Sequence, residues 1–307
     1  MKKRRDWIID SIGEHTFEQL TRALPGSLLQ SVLLEVLHAR ARARTPAAVE
    51  RQYQRDGFCR PSAIDQRTAL AIDAELFAAA AGFEALELSP LTPLGTCSSV
   101  ALTDQHRVVS ALRSTEMVAD PTNVLALECA QRLRADPAAN IHLATSQRVV
   151  RAQPVPDVPG YAQHFRIFVL ASAGAEAADH GFSVAAALSH IHALLGALAR
   201  LERLGYSFGE RRIDVLATSE RAALGDRIAA ELGDIAVRKP LGHAYYSGGL
   251  RYMLWVGSPD GRRIPLGDGG SFDWLGKLGR GRRTVYLASG LGAQLIASEF
   301  RAPQPSR

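Results

Sequence analysis

The sequence predicts an α+β protein, in which an antiparallel sheet is flanked by helices and preceded by a helical appendage. Three observations carry this. Residues 141–170, IHLATSQRVVRAQPVPDVPGYAQHFRIFVL, hold two runs rich in β-branched and aromatic residues, joined by a loop with Pro154, Pro156, Pro159 and Gly160. The prolines exclude a continuous helix and leave a long hairpin. Residues 6–23 and 27–43 space their apolar side chains as helices do. The first 60 residues hold 11 Lys and Arg against 7 Asp and Glu, most of the whole-chain formal charge of +5. The charge therefore divides the chain into a helical appendage, 1–60, and a core domain, 61–307.

At 307 residues, 47% hydrophobic and 22% charged, the chain can bury a substantial core. No apolar run approaches the ~20 residues that span a bilayer. The opening MKKRR is interrupted by Asp6 and Asp10 and lacks a small-residue cleavage site. No membrane association and no signal peptide are expected, and the expected compartment is the cytoplasm. Cys59, Cys97 and Cys129 are odd in number and scattered, which fits free thiols in a reducing compartment better than a disulfide framework or a zinc site.

In the appendage, Trp7, Ile8, Ile12, Phe17 and Leu20 mark a first helix, and Leu28, Leu29, Val32, Leu33, Val36 and Leu37 a second, with Pro25-Gly26 between. Thr45-Pro46 then reads as an N-cap and a first-turn proline, opening a helix to Arg55. A basic arm on a near-neutral body is an electrostatic footprint for nucleic acid. Its interleaved acids also suit a solvated helix face.

In the core, residues 61–81 predict a helix with Ile64, Leu70, Ile72, Leu76 and Phe77 on its apolar side, and 83–89 an alternating strand ending at Pro90. Residues 95–109 predict a strand pair turning at Asp104-Gln105. Asp120-Pro121-Thr122 has the residue types of an N-cap with proline just inside the helix. In the hairpin, Arg148 shares a face with Ser146 and Val150, and Arg151 and Gln153 fall where the strand ends. A guanidinium so placed either grips a carboxylate or phosphate through two parallel hydrogen bonds or is simply solvated. Residues 182–204 predict an apolar helix whose His190 and His192 point to different faces, so they cannot form a helical metal site. A strand at 214–217, a helix at 220–232, strands at 250–256 and 284–289 and a last helix at 293–300 follow. The pair Gly269-Gly270 allows either a close backbone approach to a ligand or a tight turn.

Several of these stretches together resemble the class II aminoacyl-tRNA synthetases, histidyl branch. R-x-x-R-x-Q at Arg148, Arg151 and Gln153, then a Pro-rich loop and Q-x-F at Gln163 and Phe165, resembles motif 2. The helix and strand ending at Pro90 resemble motif 1, and Ser289-Gly290-Leu291-Gly292 with its helix resembles motif 3. Tyr245-Tyr246-Ser247-Gly248 resembles the Y-Y-[ST]-G of histidyl-tRNA synthetases and of the regulatory subunit of ATP phosphoribosyltransferase. Gly269 to Leu275 stands where that family has G-G-R-Y-D-x-L.

The resemblance covers residues 61–300 and implies a class II synthetase-like antiparallel sheet and a homodimer formed through motif 1. It implies Arg148 as the catalytic arginine, with Asp120, Thr122, Arg151, Gln153, Tyr245, Tyr246, Gly269 and Gly270 binding a small amino-acid-like ligand, whose amino group Asp120 takes. Arg148 and Asp120 are accordingly expected to face one cavity. ATP is the implied cofactor, but two of its contacts are altered. The family's acid two places after the motif 2 arginine is Val150, and the motif 3 arginine is replaced by Ala293-Gln294. An anticodon-binding domain is not expected, and tRNA is not an expected partner. The resemblance thus implies a paralogue that binds an amino-acid-like ligand and regulates a partner enzyme. The alternative is an ATP-dependent ligase that adenylates an amino acid or other carboxylate for a non-tRNA acceptor.

Overall fold

A computed structural model describes residues 4–155, 161–281 and 283–302; Pro156, Pro159 and Gly160 of the hairpin loop lie outside the described residues. The appendage consists of α1 (Arg4–Ile12), α2 (Glu14–Glu18), α3 (Gly26–Arg42) and α4 (Pro46–Arg55). The single helix expected over 6–23 is broken at Gly13, where φ is +82°, and ends in a π-helical turn. Thr45 caps α4 by accepting from the Ala48 N–H at 3.2 Å. None of these helices buries a residue; Trp7 is 66% and Leu37 51% exposed.

The core opens with α5 (Gln66–Ala79), capped by the Asp65 carboxylate on the Thr68 N–H. Next comes β1, only Glu84–Ala85 of the strand expected over 83–89. A small antiparallel sheet follows, β2 (Leu91–Pro93), β3 (Ser110–Ala111) and β4 (Thr115–Met117), ordered β2-β4-β3. The strand pair expected across 95–109 does not form: Thr96–Val100 is a π-helical turn and Gln105–Arg107 a 3-10 turn. The cause is Glu116. Its fully buried carboxylate accepts from the Gly95 N–H at 2.8 Å, the Cys97 N–H at 2.9 Å and Gln105 Nε2 at 2.9 Å, gathering the segment around one acid. These bonds hold its pKa below the usual carboxylate value although burial acts to raise it.

The remaining elements are α6 (Pro121–Ala135), β5 (Ile141–Val150), β6 (His164–Ala175), α7 (Gly181–Glu202), β7 (Arg211–Ala217), α8 (Ala222–Leu232), β8 (Ala236–Pro240), β9 (Leu250–Gly257), β10 (Arg263–Phe272), α9 (Trp274–Lys277), β11 (Thr284–Leu291) and α10 (Ala293–Glu299). They build an eight-stranded sheet ordered β1-β5-β6-β11-β10-β9-β7-β8. Its pairs are antiparallel except the outermost two, β1·β5 and β7·β8.

Strand alternation assigns the two faces of the sheet. Ala144, Phe168, Leu170, Tyr252, Leu254 and Leu287 pack against α5, α7 and α10, whereas Leu143, Val149, Val169, Ala171 and Ala288 point the other way, where α6 and α9 lie. Among the described residues only α7 is long and apolar enough to cross a membrane. Its apolarity is accounted for by the core, since Ile191, Leu194, Leu198 and Leu201 are each at most 2% exposed. Fully burying one such side chain contributes roughly 1.5–3 kcal/mol.

α5 is covered in the same way. Ile72 and Leu76 are 1% and 0% exposed beneath α7 and α10, and only Leu70, at 56%, faces out. Its apolar side is thus satisfied within one protomer and by itself demands no second subunit.

Candidate functional site

A cleft of about 320 Å³ opens on the α6 face of the sheet, where β5 ends. Its anionic corner is Asp120, the N-cap of α6. The chain turns there because the Asp120 Oδ1 accepts from both the Thr122 N–H at 3.0 Å and the Thr122 hydroxyl at 2.7 Å, and Pro121 at the first helical position needs no N–H partner. The cap leaves Oδ2 directed to the cleft, where the Tyr245 hydroxyl donates to it at 3.2 Å and a terminal nitrogen of Arg151 stands 4.0 Å away. Asp120 thus caps α6 with one carboxylate oxygen and turns the other to the cleft.

Arg151 is held from two sides. Its Nε donates to the Ala119 carbonyl at 2.9 Å, and its guanidinium lies 5.0 Å from the centroid of the Phe165 ring on the returning strand. Gln153 lines the same cleft. Opposite stand Tyr245 and Tyr246, whose rings meet edge to face at 5.4 Å and pack on Phe272. Burial raises both phenols well above their usual pKa, so each acts as a hydrogen-bond donor. Tyr246 donates to Asp268, which also takes a hydrogen bond from Arg251 at 2.9 Å. Burial pushes the Cys97 thiol up to about 12, so it lines the cleft in its protonated form.

Of the expected site residues, the structure brings together Asp120, Arg151, Gln153, Tyr245 and Tyr246, with Thr122 buttressing Asp120. Arg148 is not among them. It pairs across the hairpin with Arg166 on the opposite face of the sheet and bonds His164 Nδ1 at 2.9 Å. There it lines a separate narrow cleft with Ile64, Ile72, Ala293 and Gln294. Its neighbour Arg166 pairs with Asp73 of α5 at 2.6 Å. The expectation of one cavity for Arg148 and Asp120 is thus corrected: strand alternation sends Arg148 to the α5 side, and the arginine that meets Asp120 is Arg151. Counting two places on from Arg151 reaches Gln153, a hydrogen-bonding side chain, instead of Val150.

Gly269 and Gly270 do not line the cleft either. Both lie within β10, neither in a turn, and a Cβ on Gly270 would stand 2.1 Å from the Leu250 carbonyl oxygen and 2.6 Å from the Tyr246 ring. Gly270 is therefore bare because the Leu250 carbonyl and the Tyr246 ring occupy the space a Cβ would need. The sequence reading missed Thr103 and Arg107, because it took their loop for a strand pair. It also missed His243 and Asp268, which carry no local signature. Among the described residues no group of His, Cys, Asp and Glu is arranged to hold a metal ion.

This is the fold of class II aminoacyl-tRNA synthetase catalytic cores. An ATP phosphoribosyltransferase regulatory subunit/histidyl-tRNA synthetase from Bacillus halodurans superposes with a TM-score of 0.59 at 13% identity, over 78% of this chain and 81% of that one. A histidine–tRNA ligase subunit from Alicyclobacillus acidocaldarius gives a TM-score of 0.59 at 14% identity, over 78% and 96%. Apo histidyl-tRNA synthetase from S. aureus gives 0.53 at 13%, over 75% and 64%. No protein-family model matches the chain, and no curated protein matches it.

Proposed function

We propose that the chain is a histidyl-tRNA synthetase-like paralogue whose cleft binds a small amino-acid-like ligand, does not aminoacylate tRNA, and through ligand occupancy regulates a partner enzyme. The observation that carries this is the convergence of Asp120, Tyr245 and Arg151. An α-amino acid needs an anion for its amine and a cation for its carboxylate, about one residue apart, and these groups supply both. The likeness to a protein described as a regulatory subunit supports the regulatory half of the reading. The homodimer belongs to it as well, and the exposed leucines of the appendage call for cover. Buried thiols at Cys97 and Cys129 suit a reducing compartment, the cytoplasm.

The test is thermal denaturation of the full chain with each amino acid, in the absence of ATP. A ligand at ~100 times its dissociation constant stabilises by about 2.7 kcal/mol, and Asp120→Asn should remove that shift. No stabilisation by any amino acid overturns the reading.

A second reading is favoured by one observation, the place of Gln153 two residues after Arg151. A carboxamide there can hydrogen-bond a nucleotide base as Val150 cannot, which supports an ATP-dependent ligase adenylating an amino acid or other carboxylate. Against it, the start of α10 supplies no arginine to the cleft, as Ala293 and Gln294 are buried on the opposite face. A lost charge-assisted phosphate contact costs about 1.5–3 kcal/mol. Pyrophosphate exchange dependent on an amino acid would put the ligase first.

A further inference from the structure

We infer that the ligand of this cleft carries a second negative charge beyond its α-carboxylate, making it an α-amino acid whose side chain ends in a carboxylate or phosphate. The inference rests on the amino-acid reading above and deepens it.

The argument is a balance of charge over the cleft. Its ionisable lining comprises Arg107, Arg151 and Arg251 against Asp120 and Asp268. Arg251 and Asp268 neutralise one another at 2.9 Å, and Tyr246 occupies Asp268 further, so this pair offers a ligand no net charge. What remains is one acid, Asp120, facing two guanidinium groups. A zwitterionic amino acid uses Asp120 for its amine and one arginine for its carboxylate, leaving the other cation unmatched.

Arg107 is that other cation. The loop bearing it is fixed to the end of β5, because its carbonyl accepts the Ala152 N–H at 2.8 Å, which ties Arg107 to the segment between Arg151 and Gln153. The Arg107 side chain makes no hydrogen bond or ion pair among the described residues. Asp104, the nearest acid in sequence, feels the Arg107 charge but is solvent-exposed, and it is the His106 N–H and His106 Nδ1, both at 3.0 Å, that engage its carboxylate. His243 adds a donor of the same kind. Its Nδ1 accepts the Tyr245 N–H at 3.2 Å, which leaves the ring proton on Nε2 at the wall of the cleft. Two arginines and an imidazole N–H against one carboxylate is a constellation for a ligand of net charge −1 or −2, not for a neutral one.

The test is calorimetric titration of the full chain with matched pairs differing in that one charge: L-aspartate against L-asparagine, L-glutamate against L-glutamine, and O-phospho-L-serine against L-serine. At least one acidic member should bind ten-fold or more tighter than its neutral partner, and raising the salt concentration should shrink the ratio. The winning pair distinguishes a carboxylate from a phosphate. Arg107→Gln, an exposed position whose replacement should leave the melting temperature unchanged, should bring the ratio close to one. If neutral members bind as tightly as acidic ones, the inference is overturned and the amino-acid reading stands. If glutarate, which lacks the amine, matches glutamate, recognition by Asp120 is overturned instead. Binding by none of the six amino acids removes the inference outright.

Discussion

Arg148 and Arg151 differ by three positions and occupy opposite faces of one sheet, so their variants should separate cleanly. Arg151→Ala removes a charge-assisted contact of about 1.5–3 kcal/mol, an expected loss of roughly ten- to a hundred-fold in amino-acid affinity by calorimetry. Arg148→Ala should leave that affinity unchanged and lower the melting temperature, because Arg148 packs under α5 and α10. A second residue makes a pH prediction. His190 is fully buried, with Nδ1 2.6 Å from the Ser289 hydroxyl and Nε2 2.8 Å from the Ser172 hydroxyl; burial, aided by His142, lowers its pKa to about 3. The unfolded chain binds a proton near pH 6.5 and the folded chain does not, so this site's contribution is complete above about 6.5 and is lost as pH falls towards 3. Melting temperatures should decline over that window, with a shallower slope for His190→Gln. At this scale the sequence revealed chemistry but not direction. The types and order of Asp120, Tyr245 and Tyr246 were legible, whereas the choice between Arg148 and Arg151 turned on which face of a strand each occupies.

The elements that were legible were those with strong periodic signals: the hairpin of β5 and β6, the capped starts of α4 and α6, the apolar run of α7 and the strand at β9. β10 was not. Residues 263–272 contain a proline and three glycines, a composition that locally reads as loop. Pairing on both sides overrides it, with a bulge between Pro265 and Gly267. The glycines there answer to packing, and Gly270→Ala tests this, since its Cβ would meet the rigid Leu250 carbonyl. Overpacking of this kind costs about 1–3 kcal/mol, so the variant should melt several degrees lower and lose amino-acid binding through displacement of Tyr246. The turns at 96–100 and 105–107 were illegible for a different reason: Glu116, which organises them, lies beyond their own sequence.

For the whole molecule, charge alone suggests an appendage over residues 1–60, and how it meets the body was not legible. Its apolar side chains remain exposed, so the full chain is expected to scatter light as a species larger than 33.1 kDa at micromolar concentration. A version lacking residues 1–60 should come closer to its monomer mass. Gln30 of α3 joins the appendage to the core, accepting from the Arg113 N–H at 2.5 Å and donating to the Ser114 hydroxyl at 3.2 Å. Arg113 and Ser114 both have left-handed backbones, φ +64° and +54°, which are uncommon for residues with side chains. Strain of that kind costs of the order of 1–3 kcal/mol per residue and persists only where its surroundings insist on it. The turn is therefore a loaded catch, with Glu116 two residues downstream and the wall of the cleft hanging from Glu116. Releasing Gln30 should register as faster amide exchange at Gly95 and Cys97, a signal carried from a helix outside the core to the lining of its pocket.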